Sequence, residues 1–404
     1  MKKILLLTDM PPCENFTAGL VLDKLVRFLP SDRIAICAIV NKSLKPKIPD
    51  DLQDIPRLIL KKPFEGTGRI LPRLIGGIFS FILEILQSLR VKYLLLPKIL
   101  NFIKEQKIDV LWVVLQGQTT IRLALYLTEK TELPLFTQVW DPFEWWLRAN
   151  KIDRFTRKRL LNIFDKVIEK SVSCATASWA MSKRYSELYG VKNLPVIASL
   201  SGELARKPAK RIHSREEFII GMAGQFYAQE EWLCLIKALE SVNWKILGKN
   251  IRLRVLGGQF QHFTQSPANF EYLGWNSQED TISLLADADL LYMPYWFSEE
   301  FRLESMNSFP SKLVTYFVTG RPVLCHAPEY SSPAKYIIQN NAGYICNSLD
   351  TQSLLRTLEI VINDSGLYAE IAQNGTKCFF KDFTLERMRN SFFKFLLADE
   401  NEEN

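Results

Sequence analysis

Ser311 and Lys312 follow Pro310, and Gly320 with Pro322 comes a few residues later, a spacing that predicts one short bracketed helix. Proline suits a helix's first turn because its missing N–H would lack a partner there, and glycine marks the end. Free backbone N–H groups and the positive end of the helix dipole favour an anion at that first turn, and Lys312 adds a full charge. A lysine there opposes the dipole by a few tenths to about 1 kcal/mol. A bound phosphate or simple solvation would each account for it. A second constellation is Trp140-Asp141-Pro142-Phe143-Glu144-Trp145-Trp146. Trp and Phe rings stack on sugars or sit at membrane interfaces. A carboxylate among them is expected to be partly desolvated, which raises its pKa and makes it a better base. Asp141 equally suits a helix cap. Asp287 and Asp289, two apart, could clamp a cation, but they straddle a helix end and a strand start, which argues against a metal.

Strand and helix patterns alternate around these residues. Residues 3–8 form a continuous apolar run, 18–29 a helical pattern and 34–40 a second apolar run, the opening of a βαβ unit. The intervening loop, with Thr17, Ala18 and Gly19, sits at a strand's carboxyl end, where open α/β sheets bind ligands. It is no GxGxxG. Further strands are expected at 110–115, 135–139 and 173–178, with helices at 118–129 and 181–188. Between about 192 and 217 the pattern lapses into prolines and a basic cluster, read as an interdomain linker. Alternation then restarts at 218–222 and continues through 289–293. The fold class is therefore α/β, with two Rossmann-like, doubly wound parallel sheets in domains 1–195 and 196–384.

The 404 residues suit two domains, and the charge divides between them. Residues 1–199 hold 31 Lys and Arg against 19 Asp and Glu, while residues 200–404 hold 20 against 25. A basic first half suits anionic lipid head groups, a lipid phosphate or nucleic acid, or is a solvated surface. Segment 69–107 is both apolar and basic, and Arg73 and Glu84 keep its uncharged run too short to span a bilayer. It reads either as an amphipathic helix lying on an anionic membrane or as an ordinary core-facing helix pair. Seven scattered cysteines without CxxC spacing argue for a reducing compartment and against a structural metal. The first residues read as a buried strand rather than a signal peptide.

Glu271-Tyr272-Leu273-Gly274-Trp275, Leu284 to Leu290, Pro294 and the 309–323 stretch resemble the GT-B glycosyltransferases, within these most closely the family 4 type. The resemblance implies an acceptor site in the first domain, a nucleotide-sugar site in the second, a cleft between them and no obligatory metal. It also implies a C-terminal helix, about 385–397, that returns to the first domain, with 385–404 as helix and tail. By that similarity Gly274 and Trp275 hold the base, Gly224 and Gln225 belong to one diphosphate loop, and the helix of Ser311, Lys312 and Thr315 receives the diphosphate. Thr17, Gly19, Glu144 and Trp145 fall on the acceptor side, and Asp141 resembles the base of some inverting members. The sequence also departs from the family. Gln225 and Glu230 replace the usual Arg and Lys, and Ser308 and Thr315 replace the two spaced glutamates. Glu299, Glu300 and Glu304 lie close enough to replace the first, Glu300 being the candidate, and retention and inversion both stay open.

These observations lead to the expectation of a glycosyltransferase moving a sugar from a nucleotide-sugar, a UDP- or GDP-sugar, to a lipid-linked or polysaccharide-precursor acceptor. It would be cytoplasmic and peripheral at the inner membrane face through segment 69–107. Alternatives are a catalytically lapsed GT-B scaffold and a sugar-nucleotide epimerase. No basic patch coincides with a nucleic-acid module, so no nucleic-acid partner is expected.

Overall fold

The computed structural model describes residues 2–65, 73–225, 227–258 and 267–397, without the side chains of 73–77 and 267. The expectations placed on Arg69, Ile70, Leu71, Phe226 and the tail beyond 397 fall outside the described residues, as do the side chains of Arg73, Leu74 and Ile75. The chain divides into two compact units, Met1–Val196 with Arg389–Asn404, and Ile197–Met388.

The first unit contains β1 (Ile4–Thr8), α1 (Thr17–Val26), β2 (Ile34–Val40), β3 (Arg57–Lys61), α2 (Arg73–Arg90), α3 (Leu96–Gln106), β4 (Val110–Val114), α4 (Gln118–Lys130), β5 (Leu135–Val139), α5 (Phe143–Ala149), α6 (Arg154–Glu169), β6 (Ser173–Thr176), α7 (Trp179–Tyr189) and β7 (Lys192–Pro195). Its sheet runs β3-β2-β1-β4-β5-β6-β7, with every pairing parallel. β1, β2, β4 and β5 are buried throughout, which is why their apolar runs are continuous rather than alternating. Chain order reverses between β1 and β4, and the crevice at such a switch point is where doubly wound sheets take ligands.

Segment 69–107 departs from both expectations in part. α3 buries Ile99, Phe102 and Ile103 as an ordinary core helix. α2 is turned the other way. Its Ser80, Glu84 and Gln87 are buried, while Ile78 is 67% exposed, Phe81 48% and Ile82 47%. The cause is polar: Glu84 accepts from Arg122 at 3.0 Å and from Arg159 Nε at 2.7 Å, and Ser88 bonds the Tyr126 hydroxyl at 2.7 Å. A π-helical turn, Val91–Leu95, joins the two helices; Pro97, lacking an N–H, cannot complete the regular ladder there.

The second unit contains β8 (Glu217–Ala223), α8 (Gln229–Ser241), β9 (Lys245–Ile246), β10 (Lys249–Leu256), β11 (Phe270–Gly274), α9 (Gln278–Ala286), β12 (Leu290–Pro294), α10 (Arg302–Asn307), α11 (Ser311–Val318), β13 (Val323–His326), α12 (Ser332–Asn340), β14 (Tyr344–Cys346), α13 (Thr351–Asn363) and α14 (Ser365–Asp382). The parallel order is β11-β10-β8-β12-β13-β14, with β9 antiparallel on β10 and a switch point between β8 and β12. The expected linker is not loose chain. Arg206 N–H donates to the Val318 carbonyl at 2.8 Å, Ala209 N–H to that of Gly320 at 2.8 Å, and the Arg206 guanidinium to the Ser283 hydroxyl at 3.0 Å. α15 (Leu385–Leu396) begins in this unit, and from Arg389 on it belongs to the first. There Phe392 lies 4.9 Å from the buried Trp112 ring and Phe395 lies 5.6 Å from Phe136.

Candidate functional site

In the second unit the carboxyl ends of β8, β10 and β11 meet through glycine backbone. Gly224 N–H donates to the Leu256 carbonyl at 3.0 Å and Gly257 N–H to that of Gly274 at 2.7 Å. A Cβ on Gly257, whose φ is +133°, would fall 2.3 Å from the Gly224 carbonyl oxygen. Only glycine allows that approach. The resulting crest is glycine backbone, and the Tyr272 hydroxyl donates to its Gly258 carbonyl at 2.8 Å.

Lys312 lies against this crest. Its stem is close enough that a Cβ on Gly224 would touch its Cε at 3.7 Å, and its Nζ donates to the Gln225 carbonyl at 3.2 Å. The ammonium also sits 4.0 Å from the centre of the Tyr227 ring, which belongs to a cluster with Tyr295, Trp296 and Phe301. No carboxylate lies within ion-pair distance of Lys312 among the described residues. Burial pushes its pKa down to about 7. Pro310 proves to be the N-cap of α11 rather than its first residue, no side chain caps the helix, and Ser311 is its exposed first position. A half-buried ammonium, two first-turn N–H groups and a glycine crest can together hold a polyanion.

Of the other expected donor-side residues, Gly274 is joined to the crest through Gly257, and Trp275 beside it is 63% exposed. Thr315 is half-buried on α11, and Ser308 is buried, its carbonyl accepting from the Tyr295 hydroxyl at 3.3 Å. The three nearby glutamates separate. Glu299 is exposed and pairs with Arg302 at 2.7 Å, Glu300 is exposed, and Glu304 is buried in α10. Sequence reasoning missed Glu231. Buried in the first turn of α8, it accepts from Phe297 N–H at 2.7 Å, and burial raises its pKa. It fixes the loop after β12 that carries the aromatic cluster. The only cue was an acidic pair at a predicted helix start. Asp287 and Asp289 are taken up by arginines, Asp287 by Arg254 at 2.9 Å and Asp289 by Arg215 at 3.1 Å. Among the described residues no three His, Cys, Asp or Glu side chains are grouped to hold a metal ion.

The acceptor-side candidates fall at the carboxyl edge of the first unit. Asp141 and Glu144 are exposed, so the expected desolvation of these carboxylates is absent; the rings pack on one another instead, Phe143 against Trp146 at 5.8 Å and Phe164 at 5.1 Å. The N-cap position of the next helix is Pro142, which has no side-chain bond to give. Trp145 is half-buried on α5, and Thr17 is exposed at the start of α1. Gly19 is not open to a ligand: a Cβ there would lie 2.1 Å from Cys13 Sγ, so its smallness serves the packing of its own loop.

Residues 205–378 match the family described as glycosyl transferases group 1. No curated protein matches the sequence significantly. Among solved structures, sucrose-phosphate synthase from Thermosynechococcus elongatus is similar over 100% of both chains, at 10% identity and a TM-score of 0.67. HepE from Anabaena, solved with UDP and glucose, is similar over 100% of both chains at 14% identity and a TM-score of 0.64. A glycosyltransferase from Rickettsia africae covers 98% of this chain and 99% of its own at 13% identity, with a TM-score of 0.66. At such identities the likeness is one of fold. Residues 205–378 are thus similar to glycosyl transferases group 1, within a chain that has the GT-B fold of two Rossmann-like units.

Proposed function

We propose that the chain transfers a sugar from a nucleotide-sugar, its diphosphate seated between the Gly224 crest and the first turn of α11, to an acceptor hydroxyl. The observation that carries this reading is Lys312, a half-buried ammonium beside glycine backbone with no carboxylate partner among the described residues. A leaving nucleoside diphosphate gains negative charge in the transition state, and a preorganised cation there stabilises it by a few kcal/mol. Lys312 and the helix N-terminus would supply that charge without an obligatory metal. A UDP-sugar is favoured by HepE, a protein of like fold solved with UDP-glucose, with a GDP-sugar as the alternative. Gly274 and Trp275 would flank the base, Thr315 the ribose, and Glu300 the donor sugar. Asp141, exposed at the other unit's strand ends, would take the acceptor proton.

The acceptor side is proposed to work at an anionic membrane face on a lipid-linked or polysaccharide precursor. The support is the outward apolar face of α2, flanked by exposed Arg90, Lys92, Lys98 and Lys104. Among the described residues no helix is long and apolar enough to cross a membrane, so attachment would be peripheral. Flotation with anionic vesicles is expected to carry the wild-type chain, and the variant Phe81→Glu with Ile82→Glu to stay behind. Equal behaviour of the two would contradict docking through α2.

Thermal shift with UDP, GDP, ADP and TDP tests the donor reading. One nucleotide class is expected to raise Tm, and Lys312→Ala to abolish that rise. No response to any nucleotide would favour a lapsed scaffold instead.

A further inference from the structure

Residues 206–215, expected as linker, are stitched to the body of the second unit at several points. The N–H groups of Arg206 and Ala209 donate to the Val318 and Gly320 carbonyls at the end of α11, both at 2.8 Å. A Cβ on Gly320, at φ +69°, would lie 2.5 Å from the Lys207 carbonyl oxygen, so the two stretches pack backbone on backbone. Farther along, His213 N–H donates to Asp289 Oδ1 at 2.8 Å, and Arg215 pairs with Asp289 at 3.1 Å and with Asp287 at 3.3 Å. The His213 ring completes the row, its Nε2 lying 2.6 Å from the Arg321 guanidinium.

That contact fixes a protonation state. A guanidinium has only donors, so Nε2 is the bare acceptor and the ring proton sits on Nδ1. Arg321 is itself held, its Nε donating to the Ala286 carbonyl at 2.7 Å. A proton added at Nε2 sets donor against donor and imidazolium against guanidinium. The nearby carboxylates are already engaged. Asp289 accepts from Arg215, Ile219 N–H and His213 N–H, and Asp287 from Arg215 and Arg254. Tyr368 gives its hydroxyl to the Asp289 carbonyl, Lys249 gives its ammonium to that of Arg215, and Lys210 and Arg211 are exposed. Partial burial, and then the Arg321 charge, hold the His213 pKa below its ordinary 6.5. As pH falls below 6.5, the closed segment therefore binds fewer protons than an opened one, and acid favours opening.

We infer that His213 and Arg321 form a pH-sensitive latch, and that protonating His213 frees residues 206–215 from the end of α11. That the freed end belongs to a donor-binding helix rests on the proposed function, but the latch is read without any nucleotide. Hydrogen exchange of the full chain at pH 7.5 and pH 5.5, corrected for intrinsic rates, tests it. The opened His213 titrates near 6.5, so protection of 206–215 should fall by up to about 10-fold between these values. His213→Gln keeps an acceptor for Arg321 and removes the titration, so its protection there should not change with pH. Equal wild-type protection at both pH values, a loss shared equally by α12, or the same loss in His213→Gln overturns the inference. Should His213→Gln fail to fold, the onset in a wild-type pH series decides: near pH 6.5 it supports the latch, and below about pH 5, where carboxylates titrate, it overturns it. A chain that binds no nucleotide yet opens this segment in acid would lose the proposed reaction and keep the latch.

Discussion

Lys62 and Lys312 are both half-buried lysines near the carboxyl edge of a parallel sheet, one in each unit, yet their surroundings are opposite. Lys62 is clasped by Asp9 and Glu65. Lys312 faces a tyrosine ring and a backbone carbonyl. The same alternation of strand and helix thus yields one edge whose cation is already neutralised and another whose cation awaits a partner. On the proposed reading, charge at the strand ends rather than fold would decide what a unit takes, a polyanion in the second.

Stability measurements can break this contrast. Lys62→Met has the larger expected effect, because it leaves two desolvated carboxylates facing each other. A loss of about 2 to 4 kcal/mol is expected, or roughly 5 to 10 °C in Tm. Burial already raises the Asp9 pKa against the pull of Lys62, so in the window between the ordinary and the raised pKa the folded chain binds more protons than the unfolded one. That contribution is present below the ordinary carboxylate pKa and lost as pH rises, and removing Lys62 enlarges it. The Lys62→Met deficit should therefore shrink on acidification. Lys312→Met should act weakly and with opposite sign, raising Tm slightly at pH 6 by removing a desolvated charge. Its folded pKa of about 7 lies below the unfolded 10.5, so the unfolded chain binds more protons between those values. Stability from this group rises with pH across that window, and the gain in Lys312→Met fades. A Tm loss in Lys312→Met as large as in Lys62→Met would erase the distinction.

The parts of this picture that sequence made legible are those governed by local pattern. β2 and α9 fall where their apolar periodicity places them, and the Pro310 to Gly320 spacing marks α11 to within a residue. β3 and β7 escape such reading because they are edge strands of mixed composition, Arg57 and Lys61 ending one and Pro195 the other. α6 carries so many charges that its apolar stripe is faint, although Asp153 caps it through Phe155 and Thr156 N–H groups. The orientation of α2 depends on Arg122 and Arg159, 38 and 75 positions from Glu84, and no local periodicity reports which face of a helix finds such partners. The desolvation expected of Asp141 fails for a related reason: Phe143 beside it in sequence is buried, but the carboxylate residue stays exposed.

The central claim, that Lys312 is the diphosphate's counter-charge, is tested most directly by calorimetry of nucleotide binding at pH 8 in buffers of different ionisation enthalpy. Free Lys312, with its pKa near 7, is mostly neutral there, and a bound diphosphate must recharge it. The account predicts uptake of about one proton per nucleotide bound and affinity that falls as pH rises above 7, with neither seen in Lys312→Met. Tight binding without proton uptake in the wild-type chain would contradict it.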